Sequence, residues 1–299
     1  MEYSNNQDKS DTKQINSVCY EEQCKFADQG NASAQYNLGV MYGNGNGVLQ
    51  DDVQAAAWYR KAADQGHAKA QYNLGVIYAK GICVPQDDSQ AVAWFRKAAE
   101  QGNVIAQYRL GAIYVKGRGV SRDYSKAAEW FRKAAEQDYA DAQHKLGVMY
   151  DQGKGLPQNH SQANLWYLKA AKQGHVDAQY NLGINFEEGN GVPKNYIQAA
   201  VWYLKAAEQG DSRAQYILGV MYDNGNGVSQ DSSQAVIWYR KAADQGDADA
   251  QYNLGVSYEE GDGVSQNYSQ AAVWYRKAAD QGHADAQSSL DLMFTDGKL

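Results

Sequence analysis

Residues 68–103 read AKAQYNLGVIYAKGICVPQDDSQAVAWFRKAAEQGN, and the same pattern returns every 36 residues through most of the chain without insertion or deletion. The register is marked by eight Ala-Gln dipeptides and by all seven tryptophans: Trp58, Trp94, Trp130, Trp166, Trp202, Trp238 and Trp274. A fixed period of roughly 20 to 50 residues indicates a repeat array, in which each unit packs on its neighbours. The sequence therefore predicts a repeat protein and not two globular domains.

Each unit is predicted to fold as a hairpin of two helices. In the first half, Ala70, Leu74 and Tyr78 share one face of a helix because they are four residues apart. In the second half, the apolar residues again follow helical spacing: Ala91, Trp94, Phe95, Ala98 and Ala99. Neither helix could bury its apolar stripe alone, so the hairpins must stack.

The helix boundaries are predicted from caps. The first helix ends near Gly81 and the second at Gly102, since glycine accepts the left-handed conformation that follows a helix. In the third unit, Asp138 replaces the second of these glycines and can also adopt that conformation. Asp87 followed three residues later by Gln90 predicts a capping box at the start of the second helix.

A glycine lies inside the first helix of the first seven units, at Gly75 in this stretch. Glycine in a helix costs roughly 1 kcal/mol relative to alanine. Its recurrence therefore predicts a close approach by another backbone or by a large ring. We expect Trp94 of the second helix to fill that space, and we expect a Trp166→Ala change to reduce stability before it affects any ligand.

The pattern A-x-A-Q-x-x-L-G-x-x-Y-x-x-G-x-G-V, followed by A-x-x-W-[YF]-x-K-A-A-x-Q-G, resembles the Sel-one-like repeat, a relative of the tetratricopeptide repeat. The resemblance covers about residues 19–299. It implies an all-α fold, a right-handed α-solenoid (superhelix) whose concave face is lined by the first helices. Members of the family commonly act as adaptors or scaffolds, and many bacterial members are linked to signalling, secretion or host interaction.

The predicted domain organisation follows from the register. Residues 1–17 form a disordered polar segment, and 18–299 form a single solenoid. The full units are 32–67, 68–103, 104–139, 140–175, 176–211, 212–247 and 248–283. Half-repeat caps occupy 18–31 and 284–299, and the polar last unit suits the exposed end of a solenoid.

Binding is expected at the fifth and sixth positions of each unit, because in tetratricopeptide proteins the matching positions often line the groove. The fifth positions are Tyr36, Tyr72, Tyr108, His144, Tyr180, Tyr216 and Tyr252. The sixth positions are Asn37, Asn73, Arg109, Lys145, Asn181, Ile217 and Asn253. An asparagine amide both donates and accepts, so a ladder of Asn and Tyr could hold an extended peptide backbone. The alternative is that these residues are repeat framework, with tyrosine packed and asparagine capped or solvated.

Charge varies at the end of the first helix. Two of the early units carry Lys80, Lys116 and Arg118, whereas later units carry Asp151, Glu187, Glu188, Asp223, Glu259 and Glu260. These patches predict a partner of complementary charge. The alternative is a solvated surface without a selected partner.

Several classes of function are not expected. The net charge of −7 does not point to nucleic acid, and no apolar run is long enough for membrane insertion. The glycine-rich GNGNGV lacks the lysine of a phosphate loop, and no catalytic triad or cofactor is expected. His67, His175 and His283 are predicted to cap helices and, being three repeats apart, not to bind metal. Cys19, Cys24 and Cys83 are expected to be reduced thiols.

The function expected is a non-catalytic scaffold or adaptor that binds an extended peptide or a partner surface. A first alternative is a dedicated partner of one toxin or host protein, that is, a bacterial immunity protein or a secreted effector. A remote alternative is a β-lactam-binding hydrolase, as in a cysteine-rich branch of the family, but its paired cysteines are missing here. No secretory signal is visible, so a cytoplasmic monomer is expected, with export by a signal-independent route or a trimmed signal as the alternative.

Overall fold

A computed structural model of the chain describes residues 20–298, and this part of the chain is built from helices without any strand. The first helix, α1, covers 20–28. The other fifteen are α2 Ala32–Asn44, α3 Asp52–Asp64, α4 Ala68–Lys80, α5 Asp88–Glu100, α6 Val104–Lys116, α7 Tyr124–Glu136, α8 Ala140–Gln152, α9 His160–Lys172, α10 Val176–Glu188, α11 Tyr196–Glu208, α12 Ser212–Asn224, α13 Ser232–Asp244, α14 Ala248–Glu260, α15 Tyr268–Ala279 and α16 Ala284–Thr295. The predicted all-α solenoid fold is confirmed, while the segment 1–17 lies outside the described residues.

The described chain divides into two compact units. Unit 1 runs to Ala142 and includes Lys154–Pro157, and unit 2 contains Gln143–Gly153 and the residues from Gln158 onward. In unit 1 the hairpins are α2 with α3, α4 with α5 and α6 with α7, and in unit 2 they include α10 with α11, α12 with α13 and α14 with α15. Within each unit, apolar clusters join the second helix of one hairpin to the first helix of the next, as in α3 with α4, α5 with α6 and α11 with α12.

The second helices begin where the sequence predicts, but only half of the capping box forms. The carboxylate of Asp87 accepts from the backbone N–H groups of Ser89 and Gln90. In a capping box, the backbone N–H of Asp87 would donate to the Gln90 side chain. Here that N–H donates to the carbonyl of Tyr78 at 3.0 Å. The same bond recurs in the other hairpins, so the N-cap residue fastens the second helix to the first.

The first helices are capped by the residue that ends the preceding unit. His67, His175 and His283 each accept a backbone N–H at their Nδ1 atoms, at 3.2–3.3 Å, which confirms the predicted capping role. The helix ends also follow the prediction, since Gly81 and Asp138 have φ values of +69° and +59°.

The ring opposite each helix glycine is not the tryptophan, so that expectation was wrong. A β-carbon at Gly75 would fall 2.7 Å from Cδ1 of Phe95, the residue after Trp94. The same relationship holds in the other hairpins, where the facing ring is Tyr59, Phe131, Tyr167, Tyr203, Tyr239 or Tyr275. Adjacent residues on a helix are about 100° apart around its axis, so the rings of Trp94 and Phe95 both lie on the apolar side. The angle at which the two helices cross determines which ring faces the glycine.

The tryptophans pack between hairpins. Trp94 is 5% exposed and belongs to the apolar cluster that joins Tyr59 of the preceding hairpin to Leu74 of its own hairpin. The ammonium of Lys97, one turn later in the helix, lies 4.0 Å from the centre of the Trp94 ring. Each of the six remaining tryptophans has a lysine in the same position relative to its ring. The tryptophan therefore joins neighbouring repeats, whereas the following aromatic residue joins the two helices of one hairpin.

The buried glutamines of the Ala-Gln dipeptides also join neighbouring repeats. Gln179 donates to the carbonyl of Ala171 at 3.1 Å and accepts from Gln209 at 2.7 Å. Equivalent bonds connect the other hairpins within each unit. The Ala-Gln register is thus explained by a polar bond that each buried glutamine needs.

Two further features of the described residues bear on membrane insertion and on disulfide formation. Within residues 20–298, the helices are all too short or too polar to span a bilayer. Cys24 is half-buried and Cys83 is exposed, and both are free thiols, whereas Cys19 lies outside the described part of the chain.

Candidate binding surfaces

The fifth-position residues lie against the second helix of their own hairpin. The ring of Tyr72 is 5.6 Å from that of Phe95, and Tyr180 is 5.7 Å from Tyr203. The corresponding pairs in the other hairpins are 5.6–6.2 Å apart. Each fifth-position tyrosine is half-buried, and His144 is buried. These rings belong in part to the packing, and the tyrosines keep an accessible surface.

The sixth-position residues fall into two groups. Asn37, Arg109 and Lys145 are exposed, and the Asn37 amide donates to Gln23 at 2.9 Å. Asn73, Asn181, Ile217 and Asn253 are half-buried. The Asn73 amide lies near the Tyr59 hydroxyl of the preceding hairpin; burial raises the pKa of Tyr59 to about 12, and the nearby amide opposes the rise.

Asn181 and Asn253 contact tyrosine hydroxyls in the same way, at Tyr167 and Tyr239. The Asn181 amide is also 3.2 Å from Nε2 of His144. These asparagines therefore lie close to buried tyrosines, whereas the framework alternative expected them to be capped or solvated. One bond does not use the whole amide, which has two donors and two acceptor lone pairs. Their role in binding a partner stays a prediction.

The acidic residues at the ends of the first helices in the later units are of two kinds, hydrogen-bonded and exposed. Glu187 accepts from the Tyr203 hydroxyl at 2.7 Å, and Glu259 accepts from Tyr275 at 2.8 Å and from Lys298 at 3.0 Å. Their successors Glu188 and Glu260 are exposed. Burial raises the pKa values of Tyr203 and Tyr275 first, and the neighbouring carboxylates raise them further.

A pocket of about 280 Å³ lies among α4, α5 and α6 of unit 1. Its apolar residues include Val76, Phe95 and Ile113. Its charged residues are Asp88, Lys80, Arg109, Lys116 and Arg118, and Arg118 is paired with Asp88 at 2.8 Å. The basic residues predicted separately from the sixth position and from the helix end therefore meet in one place. The sequence did not identify Phe95 or Asp88 as part of this pocket.

Unit 2 contains two different pockets. One of about 470 Å³ is mainly apolar, with Leu165, Phe186 and Trp202 in its wall. A smaller one of about 100 Å³ brings Asp223, Glu260 and Asp262 together with Asn253. Burial raises the pKa of Asp223, while a hydrogen bond from Tyr239 lowers it. Unit 2 thus presents an acidic site that includes three of the predicted residues, Asp223, Asn253 and Glu260.

His144 also meets His175 and Asp177, which the sequence had not connected with it. The two imidazole rings are 4.5 Å apart at an angle of 30°. Asp177 is held by Arg213 at 2.7 Å, and this bond lowers the pKa of the Asp177 carboxyl, as do the two histidines. The only signal in the sequence was that His144 replaces tyrosine at the fifth position.

The Sel1 repeat model matches seven successive segments, 32–67, 68–103, 104–139, 140–175, 176–211, 212–247 and 248–283. No curated protein matches the chain.

Two solved structures are similar over most of the chain. One is c5321, described as a protective antigen present in uropathogenic Escherichia coli strains and displaying an SLR fold, with 40% identity and a TM-score of 0.89 over 93% of this chain. The present chain spans 60% of the length of that protein. The other is a Sel1 repeat protein from Oxalobacter formigenes, with 37% identity and a TM-score of 0.73 over 92% of this chain and 79% of that one. With seven matched repeats and these relatives, the chain belongs to the Sel1 repeat family.

Proposed function

We propose that this protein is a non-catalytic scaffold that binds an extended peptide or a partner surface on its first helices. Sel1 repeat proteins typically mediate protein interactions, which supports the general class. The observation that carries the proposal is the pocket among α4, α5 and α6, which is lined by four basic side chains, by Asp88 and by apolar residues.

The chemistry of this pocket favours a particular kind of segment. A volume of about 280 Å³ is just below the range for small-molecule sites, roughly 300–1,000 Å³, so it suits one or two side chains of a peptide. Val76, Phe95 and Ile113 would contact an apolar side chain, while Lys80 and Lys116 would attract carboxylates on either side of it. We therefore propose an acidic segment with an apolar anchor as the ligand of unit 1.

The asparagine ladder contributes in a narrower way than the sequence suggested. Asn73 lies in the first helix that also supplies Val76 and Lys80 to the basic pocket. Asn73 is half-buried near Tyr59, and its amide has donors and acceptors that could bind a peptide backbone. The exposed Arg109 then provides a charged contact one repeat later. In unit 2, the Asn253 amide likewise lies beside the acidic residues Asp223 and Glu260 and could bind a peptide backbone.

The first test is a quantitative affinity capture with the full chain. We expect Lys80→Glu/Lys116→Glu to reduce the amount of bound partner at least tenfold, and we expect wild-type binding to weaken as salt is added. The control Lys154→Glu/Lys172→Glu changes the net charge equally at two exposed lysines outside the pocket. Equal loss with both variants, or no loss with either, would contradict a role for this pocket.

The second test addresses the ladder. The variant Asn73→Ala/Asn181→Ala/Asn253→Ala is compared with wild type by affinity capture and mass spectrometry, after circular dichroism has shown that it is folded. We expect reduced capture of the same partners that the basic-pocket variant loses. Full retention of every partner would leave these asparagines as framework residues.

A second candidate is a dedicated partner of one toxin or host protein. It is favoured by the 40% identical uropathogenic E. coli protein, which is described as a protective antigen. In this case the capture experiment returns one partner with high affinity, and a reporter fusion tests whether the chain is exported. Several partners sharing an acidic segment would favour the general scaffold instead.

A further inference from the structure

We propose that His144, His175 and Asp177 form a binding site for a divalent transition-metal ion, with Zn²⁺ and Cu²⁺ as the ions that suit it best. Each of the three side chains offers a ligand atom, and these atoms lie within 4.8 Å of one another. All three residues belong to unit 2. The site is separate from the residues of the basic pocket and does not depend on the proposed partner.

The ligand chemistry fits this class of ion. Imidazole nitrogen is a preferred ligand of zinc, copper and nickel, whereas magnesium and calcium prefer sites made of oxygen ligands. Two imidazoles and one carboxylate leave one tetrahedral position for water. His144 is buried, His175 is half-buried and Asp177 is exposed, so the site is anchored on one side and reached from solvent on the other.

The fifth-position residues of the other repeats show why the site occurs in this repeat. Tyr36 stacks on His67 and Tyr252 stacks on His283 with centroid distances of 4.6 and 4.7 Å, so a ring pair at this point is common to several hairpins. Only His144 replaces the tyrosine of that pair by a second imidazole. Stacking therefore explains the position of His175. Because residue 144 is histidine where the other repeats have tyrosine, the ring pair in this repeat offers two metal ligands.

Closing around an ion requires a small rearrangement. With Zn–N bonds of about 2.0 Å, tetrahedral ligand atoms are roughly 3.3 Å apart, so ligand atoms up to 4.8 Å apart must approach by about 1.5 Å. Rotation of the exposed Asp177 side chain can supply much of this movement. Arg213, which holds Asp177 at 2.7 Å, also bonds Asp211 at 2.5 Å and so keeps a carboxylate partner when Asp177 turns to the metal.

Metal binding also competes with a helix cap. Nδ1 of His175 accepts the Ala178 N–H at 3.3 Å, which uses the one lone pair of a neutral imidazole. If the metal binds Nδ1 it takes that lone pair, and if it binds Nε2 the proton moves to Nδ1. The cap bond is lost in both cases, so we expect a moderate affinity and not that of a closed structural zinc site.

Substitutions that other repeats already contain provide clean tests. His144→Tyr restores the residue found at this position in the six other units, and His175→Asn restores the cap residue found at Asn31 and Asn103. Both variants should fold while each loses one ligand. His67→Asn is the matched control, because it makes the same change where the stacked partner is Tyr36.

The experiment is calorimetric titration of the full chain with Zn²⁺ alone. We expect one site per chain in wild type and in His67→Asn, and at least about tenfold weaker binding in His144→Tyr and His175→Asn. Two further His–Asp pairs, His160 with Asp151 and His283 with Asp249, offer one imidazole each and should contribute weaker binding. Electron paramagnetic resonance with Cu²⁺ should show two nitrogen ligands in wild type and one in His144→Tyr.

Each contrary outcome rejects the site. Absence of saturable Zn²⁺ binding by wild type would overturn the proposal, as would unchanged affinity in His144→Tyr and His175→Asn. Equal weakening in His67→Asn would show that the histidines act independently. A Cu²⁺ spectrum with a single nitrogen in wild type would contradict the pairing of the two imidazoles.

Discussion

The ring of Tyr59 in α3 lies against the backbone of Gly39 in α2, where a β-carbon would fall 2.5 Å from Cδ1 of that ring. We expect Gly39→Ala to destabilise the protein by about 1–2 kcal/mol. The clash with a rigid ring costs roughly 1–3 kcal/mol, and the better helix propensity of alanine returns at most about 1 kcal/mol. Urea unfolding measures the difference.

The matched control lies one turn further along the same helix. A β-carbon at Gly43 would be 3.7 Å from Cβ of Ala55 and from the Tyr59 hydroxyl, which are ordinary contacts. Gly43→Ala should therefore be neutral or stabilising by up to about 1 kcal/mol. If both alanine variants had the same effect, close approach of the ring would not explain Gly39.

Two tryptophans that share a repeat position should differ in their contribution to stability. Trp94 is 5% exposed, whereas Trp58 is only half-buried. We expect Trp94→Ala to cost about 3–5 kcal/mol and Trp58→Ala clearly less, because the loss follows the buried area and the cavity left behind. Chemical unfolding monitored by circular dichroism tests the order; a larger loss at Trp58 would contradict it.

The buried glutamines should contribute to the contact between repeats. Gln179→Ala removes the donor to the Ala171 carbonyl and the acceptor for Gln209, so we expect a loss of about 1–3 kcal/mol in the free energy of unfolding. Gln209 is exposed and can bond to water, so Gln209→Ala should cost less than about 1 kcal/mol. Similar losses for the two variants would argue against a specific contribution from the buried hydrogen bonds of Gln179.

Alkaline pH should weaken the fold through the buried tyrosines. Burial raises the pKa of Tyr59 to about 12 from an unfolded value near 10. Because the unfolded chain loses this proton first, stability from Tyr59 is present below pH 10 and is lost as pH rises from about 10 to 12. The decrease is at most about 1.4 kcal/mol per pH unit for each such tyrosine.

The variant Tyr59→Phe separates this effect from other alkaline titrations. Phe95 and Phe131 occupy the same position in the next two repeats, so phenylalanine fits the packing. Unfolding by urea at pH 9, 10 and 11 should show a shallower loss of stability in the variant than in wild type. An identical pH dependence would contradict an elevated pKa at Tyr59.

Much of the fold could be predicted because it depends on local chemistry repeated in register. The N-cap carboxylate of Asp87 and the left-handed glycine at Gly81 need only their own helix ends, and both form where expected. The partner of a side chain is a different matter. Trp94 and Phe95 are neighbours on one apolar side, and the sequence could not decide which ring faces Gly75.

The candidate site shows the same division. Equivalent positions of the repeats differ at Arg109 and Lys116, and this variation in the first helices is visible in the sequence. The sequence cannot show contacts between different positions, such as Arg109 with the pocket that Phe95 lines, or His144 with His175. These depend on how one hairpin stacks on the next.

The sequence by itself determined the repeat, its helices and their caps, because a 36-residue register and short-range hydrogen bonds are visible in the order of residues. The tertiary structure decided that Tyr59 and not Trp58 faces the helix glycine, and that Asn73 lines a pocket together with Tyr36 and Tyr59. It also brought two histidines from opposite ends of one repeat together. Packing selects these contacts because several side chains on each apolar face could reach the neighbouring helix, and only the crossing geometry distinguishes them.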